Sequence, residues 1–155
     1  MPDIRLELEK RGLTLPKPPK PIASYVPVDA VYSGNLVFVS GQLPLRDGQL
    51  IATGKVPKEV TPEQAQACAR QCVLNALAAL VNAIGDLEKI RRVVKLDGFV
   101  ACDPDFTDHP QVINGASDLL VELMGEHGRH TRAAVGVSSL PMNAPVEIAF
   151  TFLVD

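Results

Sequence analysis

The sequence predicts an α+β domain in which two helices cover one face of a mixed β-sheet, a two-layer sandwich. Three observations carry this prediction. Segments with strand character stand before, between and after two segments with helical periodicity. A strand that follows a helix is reached by a crossover connection, so a mixed sheet is expected. The last segment, Val146–Val154, alternates as a strand with one buried face does.

A chain of 155 residues is long enough for one domain with a sizeable core and too short for two. Residues 15–21 contain four prolines, which predicts an extended tether. We therefore expect an N-terminal extension, residues 1–20, and one domain over residues 21–155. Ile4 and Leu8 share a face if the extension is helical, which supports a short amphipathic turn. The polar start lacks the pattern of a secretion signal, so a cytoplasmic location is expected.

The charge and the cysteine content of the chain argue against several classes of function. The net charge is −3 with both signs mixed, and no run of lysines and arginines resembles a phosphate-tracking surface. This argues against sequence-independent binding to nucleic acid. Cys68, Cys72 and Cys102 form no C-x-x-C pair, so neither a disulfide framework nor a zinc site is predicted. We expect no metal and no cofactor, and thiols that stay reduced.

The first strand pair is predicted over residues 25–32 and 36–40, with Ser33-Gly34-Asn35 as the turn of a hairpin. Tyr25 opens the first strand in this interpretation. The second strand closes on Ser40-Gly41-Gln42, where a glycine lets backbone amides approach a ligand closely. An ordinary β-bulge or turn explains the same residues, and both interpretations stay open at this point.

The clearest local signal is Thr61-Pro62-Glu63-Gln64, in which threonine is the N-cap, proline is the first helical residue and glutamine completes a capping box. A helix is predicted to begin at Pro62 and to end at Gly85. Cys68 and Cys72 fall on its apolar face, so we expect both thiols in the core rather than in a redox or ligand role.

The valine-rich segment Ile90–Ala101 predicts a strand that follows this helix. An acidic group stands just after it, at Asp103, Asp105 and Asp108. A calcium loop needs a glycine and a distal glutamate at set positions, and neither is present. We therefore predict a solvated acidic loop.

Residues 110–124 predict a second core-facing helix, with apolar residues at helical spacing. Asn114 and Ser117 lie just off its apolar stripe near the N-terminal end, where free backbone donors favour an anion. A glycine after Asn114 is poor helix chemistry, which indicates either a tolerated surface flaw or a functional position. His127 and His130 follow in a loop without a pattern that would complete a metal set, and we expect exposed side chains.

Residues 132–150 predict two strands around an ordered loop, because residues 138–145 carry two prolines and an asparagine. The strand period of two places Arg132 on one face with Ala134 and Gly136. A guanidinium with space beside it suits a carboxylate or phosphate ligand. A solvated or ion-paired arginine at the start of an edge strand is the alternative.

The faces of these last strands lead to a prediction about assembly. In Val146–Val154 the apolar residues are expected to face the helices, while Glu147 and Ala149 point the other way. We expect Arg132, Ala134 and Gly136 on this second face too. The face carries little charge for a surface in water, so a partner subunit is predicted to cover it.

Three separated motifs occur in order along the chain: P-I-A-S-Y at residues 21–25, G-N-L-V-F-V-S-G-Q-L-P at residues 34–44, and R-A-A-V-G-V at residues 132–137 with L-P at 140–141 and V-E-I at 146–148. Together they resemble the Rid family (YjgF type, also called the L-PSP endoribonuclease family). The match runs from about Pro21 to the C-terminus and keeps the family's element order.

This resemblance implies a chorismate-mutase-like fold and a homotrimer whose clefts lie between subunits. It implies hydrolysis of reactive imines and enamines, such as 2-aminoacrylate, to 2-oxo acids and ammonia. From their places in the family's motifs, Arg132 would bind the substrate carboxylate and Tyr25 would line the cleft. Ser40 with Gly41 would present hydroxyl and backbone contacts, and Asn114 would approach from the neighbouring wall.

Two departures from the family pattern bear on activity. Ala134 stands where the best-studied branch has a cysteine, a mild loss if the backbone amide does the binding. Ala149 stands where that branch has the glutamate that positions the hydrolytic water, and general acid–base help is typically worth about a hundredfold or more. Glu147, one pleat away, is the candidate replacement.

Three functions follow as hypotheses. The first is an imine or enamine deaminase, and the second is a non-catalytic trimer that binds small carboxylates. The third is a ribonuclease or translation inhibitor, against which the absence of a basic stripe weighs. No membrane partner is expected.

Overall fold

A computed structural model of the chain describes residues 1–31 and 35–155. The elements in chain order are α1 (Ile4–Lys10), β1 (Val28–Val31), β2 (Leu36–Gln42), β3 (Leu45–Arg46), β4 (Gln49–Leu50), α2 (Pro62–Ile84), β5 (Ile90–Ala101), α3 (His109–Met124), β6 (Thr131–Val137) and β7 (Val146–Val154). Short 3₁₀ turns occupy Leu87–Lys89, Gly125–Gly128 and Pro141–Asn143.

Five strands form one sheet in the order β1-β2-β7-β5-β6, with β6 at an edge, and β3 and β4 form a separate hairpin. The β5–β6 pair is parallel, while β1–β2, β2–β7 and β5–β7 are antiparallel. Helices α2 and α3 pack on one face. The mixed sheet and the two-layer α+β architecture are therefore confirmed.

The first hairpin differs from its prediction at its start. Strand β1 begins at Val28, so Tyr25 lies three residues before it instead of opening it. Prolines at 21 and 27 flank Tyr25, and proline withdraws a backbone donor from a strand ladder. The predicted turn falls partly on Ser33 and Gly34, which lie outside the described residues. At the end of β2 the register with β7 shifts between Val39 and Gln42, which is the β-bulge interpretation.

Helix α2 is confirmed with its cap. The Thr61 hydroxyl accepts from the Gln64 amide at 3.1 Å, and the Gln64 side chain accepts from the Thr61 amide at 2.9 Å. Cys68 and Cys72 are fully buried. By length and composition α2 could cross a membrane, but 67% of its most apolar window is buried inside the protein. It is accordingly the central core helix of this domain.

Helix α3 lies close to both α2 and the sheet because small residues stand at the contacts. A Cβ on Gly115 would lie 2.3 Å from the carbonyl oxygen of Gln66 in α2. A Cβ on Gly98 of β5 would lie 2.8 Å from the Ile113 side chain. The glycine after Asn114 is therefore neither a surface flaw nor a catalytic device, since close packing of the two helices requires it.

Helix α1 is two turns long and buries Ile4 and Leu8 in the same core as α2 and α3. The short amphipathic turn is thus confirmed. Arg11 at its end donates to Glu122 of α3 at 3.3 Å. The division into an extension, residues 1–20, and a domain, residues 21–155, stays a prediction.

The predicted faces of the sheet are confirmed for β7 but not for β6. In β7 the residues from Val146 to Val154 at even positions are buried under the helices, as expected. The parallel register pairs Arg132 with Leu96 and Ala134 with Gly98, both of which lie on the helix face. Arg132, Ala134 and Gly136 therefore point toward α3, and their predicted place beside Ala149 is wrong. Period two defines two faces within a strand, but only the register with β5 decides which face is which.

Candidate active site

The Arg132 guanidinium lies between the edge strand β6 and helix α3. Its Nη1 donates to the Ser117 hydroxyl at 3.0 Å, and its Nη2 donates to the Pro110 carbonyl oxygen at 3.2 Å. Pro110, Asn114 and Ser117 recur at four and three residues, so they lie on one face of α3. Asn114 is half-buried on this face. We call this surface, with Arg132, Asn114 and Ser117, the arginine wall.

His130 belongs to the arginine wall, which corrects the expectation of an exposed loop side chain. Its ring is half-buried, with Nε2 2.9 Å from the Ser117 hydroxyl and Nδ1 2.6 Å from the Gly128 carbonyl oxygen. Burial lowers the pKa of His130; the hydrogen bond to the Gly128 carbonyl group opposes this, and the nearby Arg132 charge adds to the lowering. The sequence offers one signal for this placement, because His130 and Arg132 are two residues apart and share a face if the strand period is extended.

A second surface carries the other predicted residues. An open cavity of about 360 Å³ lies beside Tyr25, Ser40, Gly41, Pro141 and Glu147. We call it the glutamate wall. A Cβ on Gly41 would lie 3.0 Å from the Glu147 carboxyl group, so glycine lets this carboxyl group lie against the β2 backbone. Burial raises the pKa of Glu147.

Two further contacts shape the glutamate wall. The Ser40 hydroxyl donates to the Val26 carbonyl oxygen at 2.6 Å, which ties the segment before β1 to the end of β2. The Tyr25 hydroxyl accepts from the Ile22 amide at 3.2 Å, while the side chain stays 42% exposed. Ser40 therefore keeps its oxygen lone pairs for a ligand, and Tyr25 is partly accessible.

The two walls do not meet within one chain. Strands β5 and β7 separate β6 from β2, which corresponds to about 14 Å at the usual spacing between neighbouring strands. The walls also face opposite sides of the sheet, since Arg132 points toward α3 and Glu147 pairs with Phe99 on the outer face. A small ligand that touches both walls therefore needs a second copy of the chain.

Ala134 and Ala149 lie on different faces of the sheet. Ala134 shares the face of Arg132, and its β5 neighbour is Gly98. Ala149 is half-buried beside Glu147 on β7, and its β5 neighbour is Asp97. The methyl group of Ala149 supplies no acid–base function, which leaves Glu147 as the carboxyl group of the glutamate wall.

Metal ligands are not gathered in this structure. Within residues 1–31 and 35–155 no three histidine, cysteine or acidic side chains form a group that could hold a metal ion. The Cys102 sulfur lies 3.5 Å from His109 Nε2, and burial raises the pKa of the Cys102 thiol. Of the acidic group, Asp105 and Asp108 are exposed.

The chain matches one known family over nearly its whole length. A family model described as "YjgF/chorismate_mutase-like, putative endoribonuclease" matches residues 5–153. The matched range contains both walls, as well as most of α1.

Two curated relatives and one solved structure align over nearly the whole chain. Protein TCP17 of Trypanosoma cruzi is 42% identical over 94% of this chain and 90% of its own length. A 2-iminobutanoate/2-iminopropanoate deaminase of Dermatophagoides farinae is 32% identical over 94% of this chain and 98% of its own length. The crystal structure of Atu1372 from Agrobacterium tumefaciens, a protein of unknown function, has a TM-score of 0.89 at 48% identity, covering 98% and 92% of the two chains.

Proposed function

Because this chain belongs to the YjgF/chorismate-mutase-like family, we propose that it hydrolyses reactive 2-imino acids and their enamine tautomers to 2-oxo acids and ammonia. The observation that carries the proposal is the arginine wall. Two contacts with α3 hold the Arg132 guanidinium in place while leaving other N–H donors of its fork for a ligand. A fixed guanidinium binds a substrate carboxylate in two parallel hydrogen bonds. The deaminase of Dermatophagoides farinae supports this substrate class.

The complete site is proposed to lie between two copies of the chain, in a homotrimer. One copy supplies the arginine wall and its neighbour supplies the glutamate wall. The exposed apolar side chains Phe38 and Val135, on the outer face of the sheet, support burial of that face by a second copy. Tyr25 and Ser40 would then line the substrate opposite Arg132.

Within such a site Glu147 is the candidate for directing water. Its carboxyl group borders the cavity, and its raised pKa makes it a better proton acceptor than an exposed glutamate once it is ionised. Imines and enamines of this kind also hydrolyse in water alone. A site that orients the substrate and one water molecule therefore accelerates the reaction even with modest acid–base help.

We place the activity in the cytoplasm. All three cysteines, Cys68, Cys72 and Cys102, are free and buried. Free thiols without a disulfide framework are typical of reducing compartments.

A non-catalytic trimer that binds small carboxylates is the second candidate. Ala149 favours it, since the carboxylate expected at this position by family pattern is missing. In that case the arginine wall would bind 2-oxo acids as such, and no water would be activated.

A coupled assay separates these functions. 2-Aminoacrylate is generated in situ from serine by a dehydratase, and pyruvate is detected with lactate dehydrogenase. We expect the wild type to speed the appearance of pyruvate and Arg132→Ala to abolish the acceleration. Arg132→Lys keeps the charge but loses the planar fork, so we expect only partial activity. Arg5→Ala, at an exposed position on α1, is the matched control.

The outcomes assign the function. Equal rates with and without the wild type contradict the deaminase. Saturable binding of 2-oxobutyrate in a calorimeter, without acceleration of the reaction, then supports the carboxylate binder. Absence of both binding and acceleration contradicts both candidates.

A further inference from the structure

We propose that Ser117 and His130 form a proton relay on the arginine wall, in which the Ser117 hydroxyl group contacts the attacking water and His130 takes up its proton. This inference rests on the proposed deaminase function and names a second acid–base group for it. The relay lies on the wall opposite Glu147, so it does not depend on the residue that stands at position 149.

The hydrogen bonds define the direction of the relay. A carbonyl oxygen only accepts, so the 2.6 Å contact with Gly128 requires a proton on His130 Nδ1. In the neutral ring Nε2 then carries a lone pair, and it accepts the Ser117 hydroxyl proton over 2.9 Å. The lone pairs of Ser117 Oγ remain for the Arg132 donor at 3.0 Å. A hydroxyl group, a base and a group that orients the base are the parts of an activated serine.

The charges around the ring favour a base at neutral pH. Helix α3 contributes only the uncharged hydroxyl group of Ser117 to the ring, and the preceding turn contributes a carbonyl oxygen. Arg132 is the charged group that acts on His130, and it favours the neutral ring. Arg92 of β5 adds positive charge near the same turn, while the exposed Arg129 is paired with Glu126 at 3.2 Å. A substrate carboxylate bound to Arg132 offsets this positive charge, so the ring becomes easier to protonate when substrate is present.

The position of Arg132 brings the reacting carbon near the relay. A carboxylate in a bidentate contact with the guanidinium places the adjacent imine carbon about 5 Å from Nη1. Ser117 Oγ is 3.0 Å from the same nitrogen, so its hydroxyl group stands beside the bound carboxylate, on the side from which it can contact a water molecule at the imine carbon. The relay therefore reaches the substrate without a movement of the backbone.

The proposed step balances with water as the only co-reactant. The water oxygen forms a bond to the imine carbon, and the electron pair of the C=N bond moves to nitrogen. The water proton passes to Ser117 as the hydroxyl proton of Ser117 passes to His130 Nε2. The imidazolium returns this proton through Ser117 to nitrogen, which gives a neutral carbinolamine. The remaining hydroxyl proton of the carbinolamine then passes along the same route to nitrogen as the C–N bond breaks, and a 2-oxo acid and ammonia result.

Ser117→Ala and Ser117→Thr are the decisive pair of variants. We expect Ser117→Ala to lower kcat by about 100-fold, while the Kd for 2-oxobutyrate changes by less than about fivefold because one hydrogen bond to Arg132 is lost. Ser117→Thr keeps the hydroxyl group and should retain most of the activity. His130→Gln should lower kcat similarly and should remove the loss of rate at acid pH that protonation of His130 causes. His127→Gln, at an exposed position, is the control.

Two results overturn the relay. One is a Ser117→Ala variant with unchanged turnover. The other is a Ser117→Ala variant whose whole defect lies in carboxylate affinity, which would reduce Ser117 to a positioning residue for Arg132. A folding defect of Ser117→Ala is recognised from its circular dichroism spectrum. In that case the turnover of Ser117→Thr, which keeps the hydroxyl group, tests the relay.

A measurement without turnover keeps the relay separate from the deaminase proposal. If the wild type shows no acceleration, the proposed function fails, and nitrogen-15 spectra of the histidine rings test the relay alone. At neutral pH we expect His130 with its proton on Nδ1, and a shift of the Nε2 resonance in Ser117→Ala. A proton on Nε2 contradicts the relay.

Discussion

At the scale of a single residue, the proposed role of Glu147 in activity conflicts with its effect on stability. Its carboxyl group is half-buried against Gly41, and this burial raises its pKa. Ionisation in such a place costs folding free energy. Because the folded-state pKa lies above the unfolded-state value, the folded protein binds more protons between the two values. Stability therefore falls as the pH rises through the folded-state pKa.

Replacement of Glu147 by glutamine should separate the two effects. We expect Glu147→Gln to lower turnover by about 100-fold through loss of the base. We expect it to raise the melting temperature at pH 7.5 and to flatten the change in stability between pH 7.5 and the ordinary glutamate pKa. Thermal denaturation at several pH values and the coupled assay measure both effects. Glu63→Gln, exposed on α2, should change neither, and a joint loss of stability and activity would assign Glu147 a structural role.

At the residue scale, the candidate residues came from motif resemblance more than from local geometry. Motif resemblance singled out Arg132 and Glu147, and the structure shows which surface each of them occupies. The place of His130 in the arginine wall was not predicted, because its partner Ser117 stands 13 residues away in another element. Local spacing in the sequence does not reveal this contact, because the contact forms only when α3 packs against β6.

At the scale of elements, boundaries were predicted where a local chemical signal exists. The capping box at Thr61 and the glycine at 85 delimit α2, and the valine-rich run delimits β5. The orientation of β6 was not predicted correctly, because its faces depend on the parallel register with β5. Likewise, Gly115 had no explanation in the sequence, since its reason is the backbone of Gln66 in α2.

Gly115→Ala tests this close packing of α2 and α3. Alanine improves intrinsic helix propensity by about 1 kcal/mol over glycine, but its Cβ would lie 2.3 Å from the Gln66 carbonyl oxygen. Overpacking of this kind typically costs about 1–3 kcal/mol. We therefore expect a net loss in the free energy of unfolding, measured by denaturation in urea. Asp118→Ala, exposed on the same helix, should stay within about 0.5 kcal/mol, and a more stable Gly115→Ala variant would contradict the packing argument.

At the scale of the whole molecule, the two walls of the single chain are the two halves of the proposed site. The arginine wall lies at the β6 edge on the helix face, and the glutamate wall lies on the outer face near β2. In the proposed cyclic assembly one heterologous contact repeats until the ring closes, so every arginine wall would meet a glutamate wall of the next copy. The proposed trimer, with three subunits of 16.6 kDa each, satisfies this condition.

Mixed assemblies of two inactive variants test whether the walls come from different chains. Arg132→Ala and Glu147→Gln are each expected to be strongly impaired when assayed alone. The two variants are unfolded together at equal concentration and refolded, so that the chains assemble at random. In a cyclic trimer about a quarter of the sites are then intact, because they take the arginine wall from a Glu147→Gln chain and the glutamate wall from an Arg132→Ala chain. We expect a corresponding share of wild-type turnover, measured by the coupled assay, and no recovery when the variants are mixed without unfolding and exchange is slow. If both walls served one site within a single chain, no mixture would regain activity.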